Sequence, residues 1–177
     1  MLLKLAALEC VDQISERFGK KNKGAIADAA RVISGAQCLG HADNRLSTLA
    51  ILCLASMVEI LDQDIIPILP GTLPRAYELL RKSFKKGSED ERLHNAVYTF
   101  ISALLMHVPW IITGSNLDSI LEFSYESSNT DMGQSCDYSR RDSLQLLAKQ
   151  TNAKDLFVAL ERSWAAAIAS GLQVCIL

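Results

Sequence analysis

Two glycines around a lysine-rich turn have the spacing of a phosphate-binding loop. Gly19 and Gly24 enclose Lys20, Lys21 and Lys23, and the backbone amides of such a loop can cradle phosphate groups. That chemistry also requires a lysine and a serine or threonine after the second glycine, and a β-strand before the first. The chain lacks the dipeptide and places the turn after a predicted helix. We therefore interpret the segment as a turn between helices with solvated lysines.

The histidines and the densest run of carboxylates do not form a catalytic or metal-binding pattern. His41, His94 and His107 are scattered, and none has a histidine or cysteine three or four residues further on, as a helical zinc site would need. The carboxylates of residues 89–91 suit a helix first turn, where the dipole favours negative charge. No Gly-x-Ser-x-Gly motif is present. We predict that the chain is not an enzyme, with no catalytic, cofactor-binding or metal-ligating residue and no small-molecule substrate.

The cysteines predict a reducing, intracellular location. Their number is odd, their spacings are irregular, and no two of them form a Cys-x-x-Cys pair. A disulfide framework is therefore not expected. The five are Cys10, Cys38, Cys53, Cys136 and Cys175.

Basic clusters are the remaining candidates for a binding function. They lie at predicted helix ends or beside a predicted loop, where cations suit the helix dipole. The three clusters are Lys20/Lys21/Lys23, Arg81/Lys82/Lys85/Lys86 and Arg140/Arg141. We favour solvated helix ends over RNA phosphate contacts, because no aromatic residues alternate with these cations as a single-strand stacking platform requires.

The central stretch, residues 44–86, predicts two helices joined by a proline-rich segment. Apolar residues recur at helical spacing in both halves. They are Leu46, Leu49, Ala50, Cys53, Leu54, Met57, Ile60 and Leu61 in the first half, and Leu69, Leu73, Ala76, Tyr77, Leu80 and Phe84 in the second. Prolines at 67, 70 and 74 suit a first turn but bend or break a helix further in. We expect a short start or a kink before Arg75.

The same periodicity over the whole chain predicts an all-α fold. Helix pairs are expected at about 2–39, 44–86, 88–126 and 139–171, with a flexible polar loop at 127–138. Pair starts are separated by roughly 40–50 residues, the spacing of HEAT or armadillo units. We predict a HEAT/armadillo-like α-solenoid of about four antiparallel helix pairs, forming a single segment of a longer protein. A closed helical bundle is the alternative architecture.

Helix ends are expected at residues with capping chemistry. They are Gly19 as a left-handed C-terminal glycine, Gly40, His41 to Asn44 before the central hairpin, Ser88 with Glu91, Pro109, Asn116, Ser139 with Asp142, Asn152 with Asp155, and Gly171.

Charge and hydropathy exclude some partner classes. The net charge of −2 gives no overall attraction to nucleic acid or anionic lipid. The longest apolar run, residues 46–61, contains Ser56 and Glu59 and is shorter than the ~18–20 residues of a membrane span, so no membrane partner is expected. Both ends look cut from a longer chain. We expect both end helices to expose apolar faces and the isolated piece to self-associate.

Several sequence runs resemble a known family. They are Ala7 to Ile14 with Phe18 to Lys21, Cys38 to His41 with Asp43, Leu52 to Leu61, and Ile66 to Pro70 with Leu73 and Pro74. These runs resemble a late segment of the very large HEAT-repeat component of the U3 small nucleolar ribonucleoprotein, or small-subunit processome (the U three protein ten family). The resemblance is best over residues 5–85.

The resemblance implies a nucleolar, non-catalytic scaffold that acts in pre-18S ribosomal RNA processing and processome assembly. It implies other small-subunit processome proteins as partners, with pre-ribosomal RNA or U3 small nucleolar RNA as further candidates. It carries no catalytic or binding residue over to this chain. Two alternatives remain open: a HEAT scaffold of another assembly, such as transport or phosphatase assembly, and a direct RNA-binding module that uses the lysine clusters.

Overall fold

The computed structural model describes residues 1–84, 90–130 and 132–169, and these residues form α-helices without any β-strand. The helices are α1 (Leu2–Phe18), α2 (Lys23–Ile33), α3 (Asn44–Leu61), α4 (Leu69–Ser83), α5 (Asp90–His107), α6 (Ser115–Ser128), α7 (Gln134–Gln150) and α8 (Ala153–Ala169). Short 3-10 turns lie at Gly19–Lys21, Asp62–Ile68 and Pro109–Ile111. The predicted all-α, solenoid-like fold is confirmed.

The helices form two layers. The odd-numbered helices pack side by side in the order α1, α3, α5, α7, while α4 lies on α5 and α6 packs with α8. One apolar core runs between the layers, from Leu8 to Ala159. Helix α3 is at its centre, because apolar residues occupy more than one of its faces and neighbours cover several sides.

Arginines cross each gap between successive even-numbered helices. Arg75 of α4 donates to the Ser34 carbonyl beyond α2, 2.9 Å away. Arg81 of α4 lies 3.4 Å from Glu122 of α6. Arg162 of α8 donates to Asp118 of α6 over 2.8 Å. The paired residues are 41, 41 and 44 positions apart, so the bridges recur at about the spacing of the helix pairs.

Two of the predicted caps form as expected. The Asp43 carboxylate accepts from the amide of Arg45 at 2.9 Å and from the amide of Leu46 at 3.4 Å, which satisfies orphan donors at the start of α3. Asn152 accepts from the Lys154 amide at 2.9 Å before α8. Helix α5 ends at His107, two residues before Pro109, as the proline predicts.

Three predicted helix ends differ. Helix α2 ends at Ile33 instead of continuing to residue 39, and turns fill the interval to Gly40. Gly19 has φ −60°, so it is right-handed, and its lack of a side chain serves close packing instead: a Cβ there would lie 2.9 Å from Ile60. Helix α6 begins at Ser115 after Gly114, and the Asn116 side chain instead donates to the Ile111 carbonyl.

The structure corrects the predicted flexible loop at 127–138, because helices extend into this segment from both sides. Helix α6 continues to Ser128, and α7 already begins at Gln134, so Ser139 lies inside a helix and does not cap one. The polar residues are helical because they have partners: Asn95 of α5 donates to Ser135 over 2.8 Å, and Cys136 is buried.

The proline-rich joint is a separate 3-10 turn. It contains Pro67 and starts at Asp62. Among the non-glycine residues that the structure describes, Asp62 alone has a positive φ, of 49°. The expected short start is therefore present, while α4 continues through Pro74 without ending. The predicted Ser88 cap, Lys85, Lys86, Gly171 and Cys175 lie outside the described residues.

Candidate functional site

The histidines lie in three separate environments. The ring of His41 accepts from the Asp43 amide at 3.0 Å, and His107 lies 3.5 Å from the Asp62 carboxylate. His94 is fully buried on α5. Across residues 1–84, 90–130 and 132–169, no three histidine, cysteine or acidic side chains are grouped so that they could hold a metal ion.

The glycine–lysine turn is not shaped as a phosphate cradle. Gly19 is buried against Ile60, and the Asn22 amide donates to the Gly19 carbonyl. Two of the lysines face acids from the end of α3: Lys20 lies 3.8 Å from Glu59, and Lys23 lies 3.5 Å from Asp62. These pairs are exposed and therefore weak, but they place carboxylates next to the positive charge that RNA would need.

The second basic cluster is also accompanied by carboxylates. Arg81 lies 3.4 Å from Glu122 and 3.9 Å from Glu126, and its guanidinium stacks over the Phe123 ring with 4.6 Å to the centroid. Lys82 lies 3.1 Å from Glu78 one turn earlier. Burial raises the pKa of Glu126, and Arg81 opposes that rise. The described part of this cluster therefore acts between helices and does not form an open cationic patch.

The third basic candidate, Arg140, is a buried structural residue. It donates to Asp137 over 2.7 Å and to the Ser127 hydroxyl over 3.3 Å. Tyr98 completes the network by donating to Ser124 over 3.2 Å. Sequence reasoning missed this network, since its members come from α5, α6 and α7 and share no local motif.

His94 lies beside this network without sharing its hydrogen bonds. Its ring is 4.7 Å from the Tyr98 ring and 6.3 Å from Phe84. Neither ring nitrogen has a hydrogen-bond partner within the part of the chain that the structure describes. Burial lowers the pKa of His94 to about 4, while the neighbouring Asn95 side chain opposes this shift and the Arg140 charge adds to it. The ring is therefore neutral at pH 7.

The four described cysteines are free thiols, and two of them, Cys53 and Cys136, are buried. Burial raises the pKa of Cys53 to about 12, with Asp12 adding to the effect. Burial also raises the pKa of Cys136 to about 11. Because the thiolate is the reactive form, neither side chain is poised as a nucleophile.

Both end helices carry exposed apolar stripes. On α8 the stripe contains Phe157, Leu160, Trp164 and Ile168, with Phe157 70 % exposed and Ile168 58 % exposed. Their spacing of three or four residues places them on one face. Helix α1 carries a second stripe with Leu3, Cys10, Ile14 and Phe18. The expectation that both end helices expose apolar faces is confirmed.

A groove crosses the outer face of the odd-numbered layer, and we call it the α3–α7 groove. It has a volume of about 510 Å³ and lies over α3, α5 and α7. Its floor contains four small side chains, namely Ala55, Ser56, Ser102 and Ala103, together with the buried Tyr98. Its walls include the exposed side chains of Leu52, Met106 and Tyr138, together with Glu59 and Asp142. Pairs of small residues interrupt the large apolar residues of α3 and α5, but only the packing of the two helices shows that these pairs meet.

No helix in the described part of the chain combines the length and the apolar character that crossing a bilayer would require.

Comparison with known proteins identifies relatives over nearly the whole chain. Each is named U3 small nucleolar RNA-associated protein 10. Over 171 residues, 97% of this chain, it is 50% identical to the Coccidioides immitis protein, 43% identical to that of Aspergillus oryzae and 44% identical to that of Neurospora crassa. The chain spans only 9–10% of the length of these relatives. No protein-family model matches the chain, and no solved structure matches it.

Proposed function

We propose, from the homology of this chain to a segment of the proteins named U3 small nucleolar RNA-associated protein 10, that it is a non-catalytic scaffold segment of a nucleolar ribosome-biogenesis factor. The segment works in pre-18S ribosomal RNA processing and small-subunit processome assembly. Its partners are other processome proteins, which it holds through the surfaces of a HEAT-type solenoid. The names of the relatives support an association with U3 small nucleolar RNA, and the resemblance of residues 5–85 suggests the processing and scaffold role.

The observation that carries the scaffold proposal is the pair of open stripes on α1 and α8. A solenoid buries such faces by stacking the next helix pair against them. The curated relatives are about ten times longer than this chain, so they contain the residues that such neighbours require. We therefore assign the α8 stripe to contact with a further helix pair of the whole protein, and the α1 stripe to the same role at the other end.

The expected strength of this contact follows from the exposed side chains. A Val, Leu, Ile or Phe side chain contributes about 1.5–3 kcal/mol when it moves from full exposure to full burial. The four stripe residues on α8 are 44–70 % exposed, which gives about 1 kcal/mol each. A total of about 4 kcal/mol would hold neighbouring pairs in register without any charged contact.

The charges favour protein partners over direct RNA binding. Lys20, Lys23, Arg81 and Lys82 each lie within 4 Å of a carboxylate from another residue of the chain. RNA phosphates would have to compete with these carboxylates. Other parts of the assembly, and not this chain, would therefore contact the U3 RNA that the names of the relatives mention.

The test is affinity capture of the full-length protein that contains this chain, tagged and expressed in its own cells. U3 RNA and processome proteins should co-purify with it, and the proteins should remain after ribonuclease treatment. A Trp164→Asp variant places a charge in the α8 stripe and should lower recovery of both. An Ala165→Asp variant is the matched control, because Ala165 is exposed on the same helix but outside the stripe.

Two results would contradict the proposal. Full-length protein that captures neither U3 RNA nor ribosome-assembly proteins would refute the cellular role. Equal losses in the Trp164→Asp and Ala165→Asp variants would refute the stacking role of the stripe while leaving the cellular role intact.

A further inference from the structure

The α3–α7 groove differs from the end stripes in place and in shape. It lies in the middle of the odd-numbered layer, so neighbouring helix pairs stacked on α1 or α8 would not cover it. Its floor is low because Ala55, Ser56, Ser102 and Ala103 are small. Three large apolar side chains stand around that floor while exposed: Leu52 at 38 %, Met106 at 55 % and Tyr138 at 74 %. Exposed apolar groups around a depression are typical of a binding surface.

The charge of the groove limits what it can hold. The residues that line it include the carboxylates of Glu59 and Asp142 but no lysine or arginine. Lys20 approaches Glu59 from outside at 3.8 Å, and its side chain is 75 % exposed. The lining also contains His107. Its ring lies 3.5 Å from the carboxylate of Asp62. Phosphate groups would therefore meet negative charge here, whereas a cationic side chain would be attracted.

We propose that the α3–α7 groove binds a short segment of a partner protein in which a large apolar side chain stands next to lysine or arginine. The apolar side chain occupies the depression between Leu52 and Met106, over the floor of small residues. The cation reaches the carboxylates of Glu59 and Asp142 at the rim. Tyr138 supplies a flat ring against which either group can pack, because aromatic faces attract both apolar groups and cations.

The length of the groove indicates the length of the segment. On α3 its lining runs from Leu52 to Glu59, which is about 10 Å at 1.5 Å per helical residue. An extended chain covers that distance in about three residues at ~3.3 Å each. The hydroxyl groups of Ser56, Thr99 and Ser139 also line the groove. Each donates to a carbonyl of its own helix, and its oxygen can accept from a backbone amide of such a segment.

This inference deepens the proposed scaffold function, since it names a class of partner for it. The groove argument depends on side chains of α3, α5 and α7, whereas the stacking argument depends on α1 and α8. The two can therefore fail separately.

The test selects random 12-residue peptides, displayed on phage, on the 177-residue chain. An excess of soluble Thr99→Lys variant is present as competitor to remove peptides that bind elsewhere. Thr99 is exposed, and its hydroxyl bonds within its own helix, so the lysine fills the groove and adds a positive charge beside Glu59 and Asp142 without disturbing the core. Selected peptides are then synthesised, and their binding is measured by fluorescence anisotropy, beside a ten-nucleotide uridine oligomer as the RNA probe.

We expect the selected peptides to combine an apolar residue with lysine or arginine. Their affinity should fall about tenfold for Thr99→Lys and for Asp142→Lys, because each variant adds a positive charge that repels the cation of the peptide, and Asp142→Lys also removes a favourable carboxylate. Glu78→Lys makes the same change of charge as Asp142→Lys, but on an exposed face of α4, and it should leave the affinity unchanged. Circular dichroism confirms that each variant is folded.

Three outcomes would overturn the proposal. The first is a selection that yields no peptide able to distinguish the wild type from Thr99→Lys. The second is a set of selected peptides without cations. The third is binding of the uridine oligomer to the wild type with tighter binding to both groove-lysine variants, which would assign the groove to RNA.

Discussion

Acidification should destabilise this chain through His94, and replacing that residue should remove the effect. The ring is fully buried between Phe84 and Tyr98 and has no hydrogen-bond partner in the described chain. His94→Leu replaces the imidazole with an apolar side chain of similar volume. At pH 7 we expect the variant to be as stable as the wild type or slightly more stable, because two unpaired polar atoms leave the interior.

The magnitude follows from the pKa. Burial lowers the pKa of His94 to about 4 from its ordinary 6.5, so the unfolded chain takes up a proton first as the pH falls. The loss of stability therefore begins near pH 6.5 and grows by about 1.4 kcal/mol per pH unit until the pH reaches the folded value. Between pH 7 and pH 5 it amounts to about 2 kcal/mol. The nearby charges oppose each other, since Arg140 lowers this pKa and Asp137 raises it.

The assay is urea unfolding at pH 7, 6 and 5, followed by circular dichroism. The free energy of unfolding of the wild type should fall with pH, and the fall should be about 2 kcal/mol smaller in His94→Leu. Phe100→Leu is the control on the same helix, because Phe100 is also fully buried and does not titrate. It should lower stability by the same amount at every pH.

A refuting result is easy to recognise. If His94→Leu and the wild type lose the same free energy between pH 7 and pH 5, the proton-linked cost of burying this ring has been misassigned. A large loss of stability in His94→Leu at pH 7 would show instead that the ring has a polar role that the geometry does not reveal.

Other substitutions test the packing of the chain. Gly40→Ala should destabilise the chain by about 1–3 kcal/mol, because the added Cβ would lie 2.9 Å from the backbone of Ala36. Gly24→Ala has open space around it and should stabilise the chain by about 0.5 kcal/mol. Thermal melts that shift in the same direction for both variants would contradict this. Arg81→Leu should cost about 1 kcal/mol in urea unfolding through the lost ring and carboxylate contacts, and an unchanged midpoint would mean that the bridge is only superficial. The isolated chain should self-associate in light scattering at high concentration, with the double variant Phe157→Ser/Trp164→Ser more nearly monomeric; a wild type that stays strictly monomeric would count against an adhesive stripe.

Helices with a local signal were predictable from the sequence. Helix α5 has an uninterrupted apolar face and Pro109 shortly after it, and both determine where it ends. Asp43 and Asn152 cap neighbouring amides through contacts two or three residues away, so their roles are visible in sequence order.

Features that depend on distant residues could not be read in this way. Helix α2 stops at Ile33, and Arg75, which is 41 residues after the buried Ser34, donates to the Ser34 carbonyl. The polar start of α7 is helical because Arg140 finds Asp137 and Ser127 inside the fold. Composition alone favours a loop there, since it records the polarity of these residues and not their partners.

The candidate surfaces divide along the same line. The positions of the lysine clusters follow from the sequence, but the carboxylates that face them come from other helices, as Glu59 and Asp62 do. The end stripes were predictable because each lies on a single helix. The α3–α7 groove was not, because Ala55 and Ser56 of α3 must meet Ser102 and Ala103 of α5, which lie 47 positions later in the chain.

The arginine bridges give this segment unequal stiffness on its two sides. Separating odd-numbered helices would expose the apolar core, at about 25 cal/mol for each Å². Separating α4 from α6 would break the exposed Arg81–Glu122 pair, for which water can substitute at little cost, and would uncover one aromatic contact, between Tyr77 and Phe123 at 5.0 Å. A pulling force along the solenoid should therefore separate the even-numbered helices first. The segment should bend readily in the direction that opens this side and resist bending in the opposite direction.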